Sequence, residues 1–371
     1  MHYLNTGARA STHRPYTAAD YEDVAAFYAR HPQLRPTPLR ALPAFARAVG
    51  VGELHVKDES SRFGLNAFKS LGVRYAIDRL QRDPAASAKH QHVGPGATLV
   101  CASAGNHGRA VARAARELGL AARVYMAAAS AEGPRRAIAS EGAEVVLVDG
   151  GYEDAVRRAA ADAESHGWTI ISDTSWPGYE EIPRLIMLGY TRLISEVEEQ
   201  LQSLPDVVFA QAGVGGLLCG VAAGVVHEWA ARRPSVVSCE PTDAACLLAS
   251  AQAGRLTSLE GPPATMMAGL ACAEPSPAAW GVVRELVDAF VAIDDGQAMA
   301  AMRMLARPLG SDPKIEAGPS GACGFAALVA VMREPSLRTV RDALGLGASS
   351  RVVVINSEGA TDRELYERVI A

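Results

Sequence analysis

Short apolar runs recur along this chain between alanine-rich stretches of helical period: "ELHVKD", "ATLVCAS", "ARVYMA", "AEVVLVD", "WTIIS", "DVVFAQ", "SVVSCE" and "RVVVINS". Near-continuous apolar runs belong to strands buried on both faces, and their alternation with helical segments predicts parallel sheets covered by helices. Between "ATLVCAS" and "ARVYMA", the stretch "AGNHGRAVARAARELGL" places Val111, Ala112, Ala115 and Leu118 on one helical stripe, which makes a βαβ unit. "PRRAIASEGA" followed by "EVVLVDG" predicts the next one. "YEDAVRRAAADAESHGW" reads as a helix, and "TIISDTSWPGYEEIP" as a strand that breaks into an irregular loop. After "DVVFAQ" the grammar of strand, glycine turn and helix repeats.

The proline- and aromatic-bearing loop "SWPGYEEIP" interrupts this rhythm and predicts a boundary near residue 170. No fixed-period repeat or low-complexity linker separates two halves, so they are expected to share an interface. A chain of 371 residues, 49% of them hydrophobic, is long enough for two domains. The formal charge of -5 is modest and the basic residues are scattered, which argues against nucleic acid as a partner. The six cysteines show no CxxC pair, so buried thiols in a reducing compartment are expected, although Cys246 and Cys272 flank a candidate site and could pair. The first residues lack a signal peptide's apolar core and no apolar run is long enough to span a bilayer; a cytoplasmic protein is the expectation.

Lysine is scarce, four residues against 32 arginines, which draws notice to Lys69 in "SRFGLNAFKSLG". It ends a turn-like stretch and leads into "SLGVRYAIDRL", of helical spacing. Unpaired amide hydrogens at a helix start disfavour a charged amine, and a neutral amine can form an imine with an aldehyde; a plain surface lysine is the competing reading. "SAGNHG" (103–108) follows a strand and opens a helix, where backbone amides suit a carboxylate and Asn106 can donate to a phenolate oxygen; a helix cap built from Ser103 or Asn106 is the alternative. In "QAGVGG", Gly213, Val214, Gly215 and Gly216 lie between strand and helix and can wrap a phosphate. The loop lacks a P-loop's lysine and hydroxyl, and close packing or a dinucleotide fold are its rival readings. "INSEGATD" puts Ser357 at a strand end, where a hydroxyl can meet a pyridine nitrogen without enforcing its protonation. Asp173 ends a strand, as a cap or as a proton handler. His107 has no aspartate at triad-like spacing and no companion at metal spacing, which favours a structural histidine.

Together these segments resemble the fold type II pyridoxal-phosphate enzymes, the group of serine and threonine dehydratases and cysteine synthase, and within it the diaminopropionate ammonia-lyase family. The likeness runs in order through "KDESSRFGLNAFKSLG", "SAGNHGRAVARAA", "DTSWPGYEEIPRLIMLGY", "QAGVGG", "VVSCEPTDAACL", "TMMAGLACAEPSP", "DPKIEAGPSGACG" and "INSEGATD". It implies an α/β fold of two parallel-sheet-based three-layer domains with the cofactor in the cleft between them. The division it implies is 1–69 with 169–371 as the large cofactor-binding domain and 70–168 as a smaller inserted domain. It makes Lys69 the residue that carries pyridoxal 5'-phosphate, with Asn106 on its 3-oxygen, Gly213 to Gly216 at its phosphate and Ser357 at its ring nitrogen. Ser103, Ala104, Gly105 and His107 would receive the substrate carboxylate, and Asp173 would orient or protonate the leaving amine. A homodimer converting 2,3-diaminopropionate to pyruvate and two ammonias is implied.

Three positions depart from the family's pattern. Ala104 stands in "SAGNHG" where the aspartate of "TDGNHG" resembles a second base for the D-isomer, so selectivity for L-substrates is expected. Pro319 and Ala360 stand where "ESG" and "EGD" carry carboxylates. Fewer carboxylates make the pocket less attractive to an extra ammonium. That loss keeps two alternatives open: a lyase or β-replacement synthase for another β-substituted L-amino acid, and a protein that binds the cofactor without turnover. A nicotinamide-dependent dehydrogenase would rest on the glycine loops alone.

Overall fold

The computed structural model describes residues 1–83 and 93–371. Among them are strands β1 (His2–Leu4), β2 (Leu39–Ala41), β3 (Glu53–Asp58), β4 (Thr98–Ala102), β5 (Ala121–Ala127), β6 (Glu144–Val148), β7 (Thr169–Ile170), β8 (Val207–Gln211), β9 (Ser235–Pro241), β10 (Ala289–Ile293) and β11 (Arg351–Asn356). They form a seven-stranded sheet of order β1-β10-β9-β8-β11-β3-β2 and a four-stranded sheet of order β6-β5-β4-β7. Every pairing in the smaller sheet is parallel, as are those from β10 to β3 in the larger. Only the edge strands β1 and β2 run antiparallel to their neighbours.

Side-chain alternation shows why the strands read as unbroken apolar runs. Along β8, Val207 and Phe209 enter one apolar cluster while Val208 and Ala210 enter another, and β11 divides likewise, Val352 and Val354 from Val353 and Ile355. Helix Pro319–Arg333 covers one face with Phe325 and Leu328, and helix Gly216–Trp229 covers the other with Leu218 and Val221. In the small sheet, Leu99 and Cys101 of β4 face the large cluster, whereas Val100 packs with Tyr125 and with Ala155 and Ala159 of helix Tyr152–His166. Both sheets are therefore middle layers, and the cluster holding Leu99, Leu71, Ile186 and Val208 runs continuously between them.

Three details differ from the sequence-based expectation. Because β7 pairs with β4, Thr169 and Ile170 lie in the small sheet, and a division at residues 168 and 169 cuts through it. Leu118 follows the end of helix Asn106–Glu117 and is 46% exposed, off the buried stripe of Val111, Ala112 and Ala115. The chain pattern did not mark β10, "AFVAI", whose five residues are all buried.

The junction between the sheets depends on two glycines. Helix Ser70–Arg82, which begins immediately after Lys69, crosses helix Glu181–Tyr190 so closely that a Cβ on Gly72 would lie 2.3 Å from the Ile186 carbonyl oxygen. A Cβ on Gly189 would lie 2.8 Å from the Gly72 Cα. Backbone cannot yield as a flexible side chain does. Gly72→Ala is therefore expected to cost about 1–3 kcal/mol of unfolding free energy by overpacking, read as a lower denaturant midpoint at unchanged slope.

Candidate active site

Ligands of open α/β sheets bind outside the carboxyl ends of the parallel strands. Here β11 runs into Ser357, β8 into the loop at Gly213, β4 into Ser103 and β7 into Asp173. Lys69 follows β3 by way of a 3-10 segment, Glu59–Gly64, and a turn in which Asn66 is left-handed at φ 60°. The amide of Phe68 donates to the Ser357 carbonyl at 3.1 Å, which fastens the lysine loop to the end of β11. The side chain of Phe68 packs edge-on against Tyr190, with ring centroids 4.8 Å apart.

Lys69 is no surface lysine. Its side chain is 21% exposed, and its amine forms an ion pair with Oδ2 of Asp173, a contact that no local spacing encodes. The same oxygen lies 3.6 Å from Nδ1 of His107. Burial alone would raise the Asp173 carboxyl, but the neighbouring His107 and Lys69 and the hydrogen bond from Lys69 outweigh it and hold the group well below the ordinary carboxylate range. Burial pushes His107 down, so its imidazole is neutral at pH 7 and the attraction there comes from Lys69.

The glycine loop carries the features of an anion cradle. Helix Gly216–Trp229 starts without a side-chain cap, so its first amides are free, and Gly215 holds φ at 103°. At Gly213 a Cβ would sit 3.0 Å from Cys272 Sγ, and the Val214 carbonyl accepts from the Ser276 amide at 2.9 Å. Two residues before Gly213, Gln211 uses Nε2 to donate to the carbonyls of Ser320 and Gly321 and, at 2.6 Å, to Oγ of Ser357. The two carbonyls fix which end of the amide is the nitrogen. Ser357 therefore accepts from Gln211 and keeps its own proton to give.

Asn106 donates from Nδ2 to Oε2 of Glu358 at 2.6 Å, so it is already aimed at an anionic oxygen. Burial raises the Glu358 carboxyl. Ser103 fulfils the capping alternative: its Oγ accepts from the amides of Gly105 and Gly108 at 3.2 and 3.1 Å. The amides of Ala104, Asn106 and His107 then have no backbone acceptor, while Ala104 and Gly105 are exposed at the rim. Pro319 is buried at the first position of its helix, where a missing N–H costs nothing, and Ala360 belongs to an apolar cluster. All six cysteines are free. Cys246 Sγ lies 3.6 Å from the Gly213 carbonyl, and burial pushes the Cys272 thiol up to about 11.

The sequence pattern of the pyridoxal-phosphate-dependent enzymes matches residues 31–358. Diaminopropionate ammonia-lyase of Escherichia coli (strain K12) is 40% identical over 347 residues, which cover 91% of this chain and 87% of that protein. The chain belongs to the pyridoxal-phosphate-dependent diaminopropionate ammonia-lyase family. Its Salmonella typhimurium (strain LT2) relative of that name is 38% identical over 94% of this chain and 91% of its own length. A crystal structure of the E. coli enzyme in complex with an aminoacrylate-PLP azomethine reaction intermediate superimposes with a TM-score of 0.90 at 37% identity, covering 100% of this chain and 96% of that one.

The enzyme is thus a lyase of the fold type II class that uses pyridoxal phosphate for α,β-elimination. Its residues fit that cofactor. A cradle already tight for a Cβ at Gly213, an uncapped helix start, a hydroxyl with a proton to give at Ser357 and a primary amine at Lys69 match a phosphate, a pyridine nitrogen and an aldehyde in turn. Gln211 and Glu358 carried no role in the sequence reading. Gln211, the last residue of β8, had a legible signal in being a polar side chain at the end of a wholly apolar strand.

Proposed function

We propose that this enzyme removes ammonia from L-2,3-diaminopropionate, giving pyruvate and two ammonias, and that the residues above divide the task. The observation that carries it is the pairing of Lys69 with Asp173, an amine and a carboxylate held together beside the anion cradle. When bound, pyridoxal phosphate supplies the electron sink for the pair left at Cα. The backbone of Gly213 to Gly216 and the uncapped helix start take its phosphate, Ser357 gives a hydrogen bond to its ring nitrogen, and Asn106 meets its 3-oxygen. The amides of Ala104, Asn106 and His107 receive the substrate carboxylate. Lys69 removes the Cα proton from its own side of the substrate. Asp173, ionised, holds the side-chain ammonium, so the group departs as ammonia; the enamine left behind hydrolyses in water. A homodimer in the cytoplasm is part of the same proposal, resting on resemblance, and light scattering tests the dimer.

Selectivity for the L-isomer follows from Ala104. A methyl group cannot take a proton, and a positioned general base contributes about 10²–10⁴-fold. Pyruvate release from D-2,3-diaminopropionate is therefore expected to be at least about a hundredfold slower than from the L-isomer, with Ala104→Asp raising the D rate selectively. Equal rates for the two isomers would show that another base serves the second face.

The departures at Pro319 and Ala360 motivated a different leaving group. The pocket nonetheless retains two carboxylates, Asp173 and Glu358, and the first of them already binds an ammonium, that of Lys69.

A further inference from the structure

The imidazole of His107 was expected either to serve the fold or to meet the substrate carboxylate. Its geometry suits neither fully. The side chain is 6% exposed, and Nε2 lies 2.7 Å from the carbonyl oxygen of Ile171. A carbonyl only accepts, so Nε2 bears the proton and the lone pair is on Nδ1. That Nδ1 is buried and has no hydrogen-bond partner. It lies beside Oδ2 of Asp173, the oxygen already paired with Lys69. Two acceptors 3.6 Å apart repel each other unless a donor lies between them. The Lys69 ammonium neutralises Asp173 but leaves Nδ1 unsatisfied.

We propose that Nδ1 of His107 and Oδ2 of Asp173 form an acceptor pair for an alkylammonium group, and that this pair is the subsite selecting the substrate's side-chain ammonium. Resting on the elimination chemistry proposed above, it assigns a specificity-determining role to His107. Lys69 occupies only the Asp173 half of the pair until its amine is engaged elsewhere, and the incoming ammonium then replaces that cation and reaches Nδ1 as well. An ammonium has three N–H donors for the two acceptors; a hydroxyl has one.

The proton balance distinguishes leaving groups. An ammonium leaves as NH₃, taking the C–N bonding pair while Lys69 accepts the Cα proton, so no further acid is needed. A hydroxyl must gain a proton before it leaves as water, and neither an ionised carboxylate nor a neutral Nδ1 has one to give. The pair therefore favours ammonia loss over dehydration in the step itself as well as in binding.

Two substitutions separate the nitrogens of the ring. His107→Gln keeps a donor for Ile171 and has no acceptor at the Nδ1 position, whereas His107→Asn puts an oxygen there and gives up the Ile171 bond. The ratio of kcat/KM for L-2,3-diaminopropionate to that for L-serine is expected to fall by about tenfold to a hundredfold in His107→Gln, as for loss of a hydrogen bond to a charged group. His107→Asn is expected to restore most of that ratio. If both variants lose activity on the two substrates in proportion, His107 only supports the fold and the proposal falls.

A second arm needs neither cofactor nor turnover. The cofactor-free Lys69→Ala protein, labelled with ¹⁵N-histidine, should bind ethylammonium saturably with a shift of the His107 Nδ1 resonance, and should not respond to ethanol. A folded Lys69→Ala protein that ignores ethylammonium would overturn the acceptor pair while leaving ammonia elimination standing. Conversely, if the wild-type enzyme eliminates from neither amino acid but the ethylammonium shift is present, the pair is retained and the proposed reaction fails.

Discussion

Lys69→Ala is expected to lower turnover by about a thousandfold or more, because one amine both anchors the cofactor and takes the Cα proton. At 1.36 kcal/mol per tenfold, that is about 4 kcal/mol of barrier. The substitution also removes the cation from Asp173, whose carboxylate is held ionised in the cleft. Asp173 stays paired only if a solvent cation or the substrate ammonium replaces the lysine, so activity loss and altered substrate affinity should come together. Borohydride reduction of the cofactor-loaded wild-type protein, followed by peptide mass analysis, should place the cofactor's mass on the peptide containing Lys69. The variant should show no such adduct. A cofactor mass at Lys57 or Lys314, or none on any lysine, would remove Lys69 from its role and the proposed chemistry with it.

The loop from Gly213 to Gly216 and Ser357 were legible because each follows a strand whose apolar run is unmistakable, and strand ends are where such folds place their sites; Lys69, beyond the mixed strand "ELHVKD", was legible as one of only four lysines. The runs were unmistakable because both faces of each sheet are buried. β10 has the same composition but runs between helices Pro277–Leu286 and Asp295–Ala306, the second beginning almost at once and taking Gly296 into its first turn, and a short apolar run in that setting is ambiguous in period. β1 and β2, three residues each, are too short to show a period at all.

Contacts across the cleft follow another rule. Asn106 meets Glu358 across 252 positions, and Lys69 meets Asp173 across 104. No local spacing encodes such pairs; they arise from the way the two sheets dock through Gly72 and Gly189. Counting carboxylates missing from motifs therefore understated what the pocket retains. The identity of a motif residue tells less about its role than the partner the fold brings to it, as Ser103 shows by spending its oxygen on a helix cap.

The motif "KDESSRFG" gains its explanation from the same long-range docking, and it yields the largest expected change in stability. Lys57, Glu59 and Arg62 are fully buried together with Glu196, which comes from helix Arg192–Gln200. Glu196 Oε2 lies 2.7 Å from both Lys57 Nζ and Arg62 Nη2, while Glu59 takes Arg62 through Nε at 2.7 Å and accepts from Thr37 at 2.6 Å. Two cations and two anions are buried together, and a third cation, Arg192, approaches Glu196 Oε1 at 3.4 Å from the edge of the cluster. Glu196→Ala leaves Lys57 buried without its carboxylate, and breaking such a pair from one side costs about 3–5 kcal/mol. Lys57 has an escape that Arg62 lacks: it can release its proton. Burial already pushes Lys57 down even with Glu196 in place, and removing Glu196 takes away an influence that raises it. Giving up a proton at pH 7 from an ordinary lysine value near 10.4 costs about 4–5 kcal/mol, which limits this part of the penalty to the same range. The sign follows directly. In the variant, unfolded Lys57 binds a proton that the folded form does not, so stability rises with pH between the depressed folded value and the ordinary one. The deficit of Glu196→Ala relative to wild type, measured by urea unfolding, should be largest near pH 7 and shrink by pH 9. Because this network supports the segment that leads from β3 to Lys69, cofactor occupancy of the variant should fall along with its stability and recover with it as the pH is raised. A deficit that does not change over that range would mean Lys57 stays charged in the variant, with water admitted to the cluster in place of Glu196.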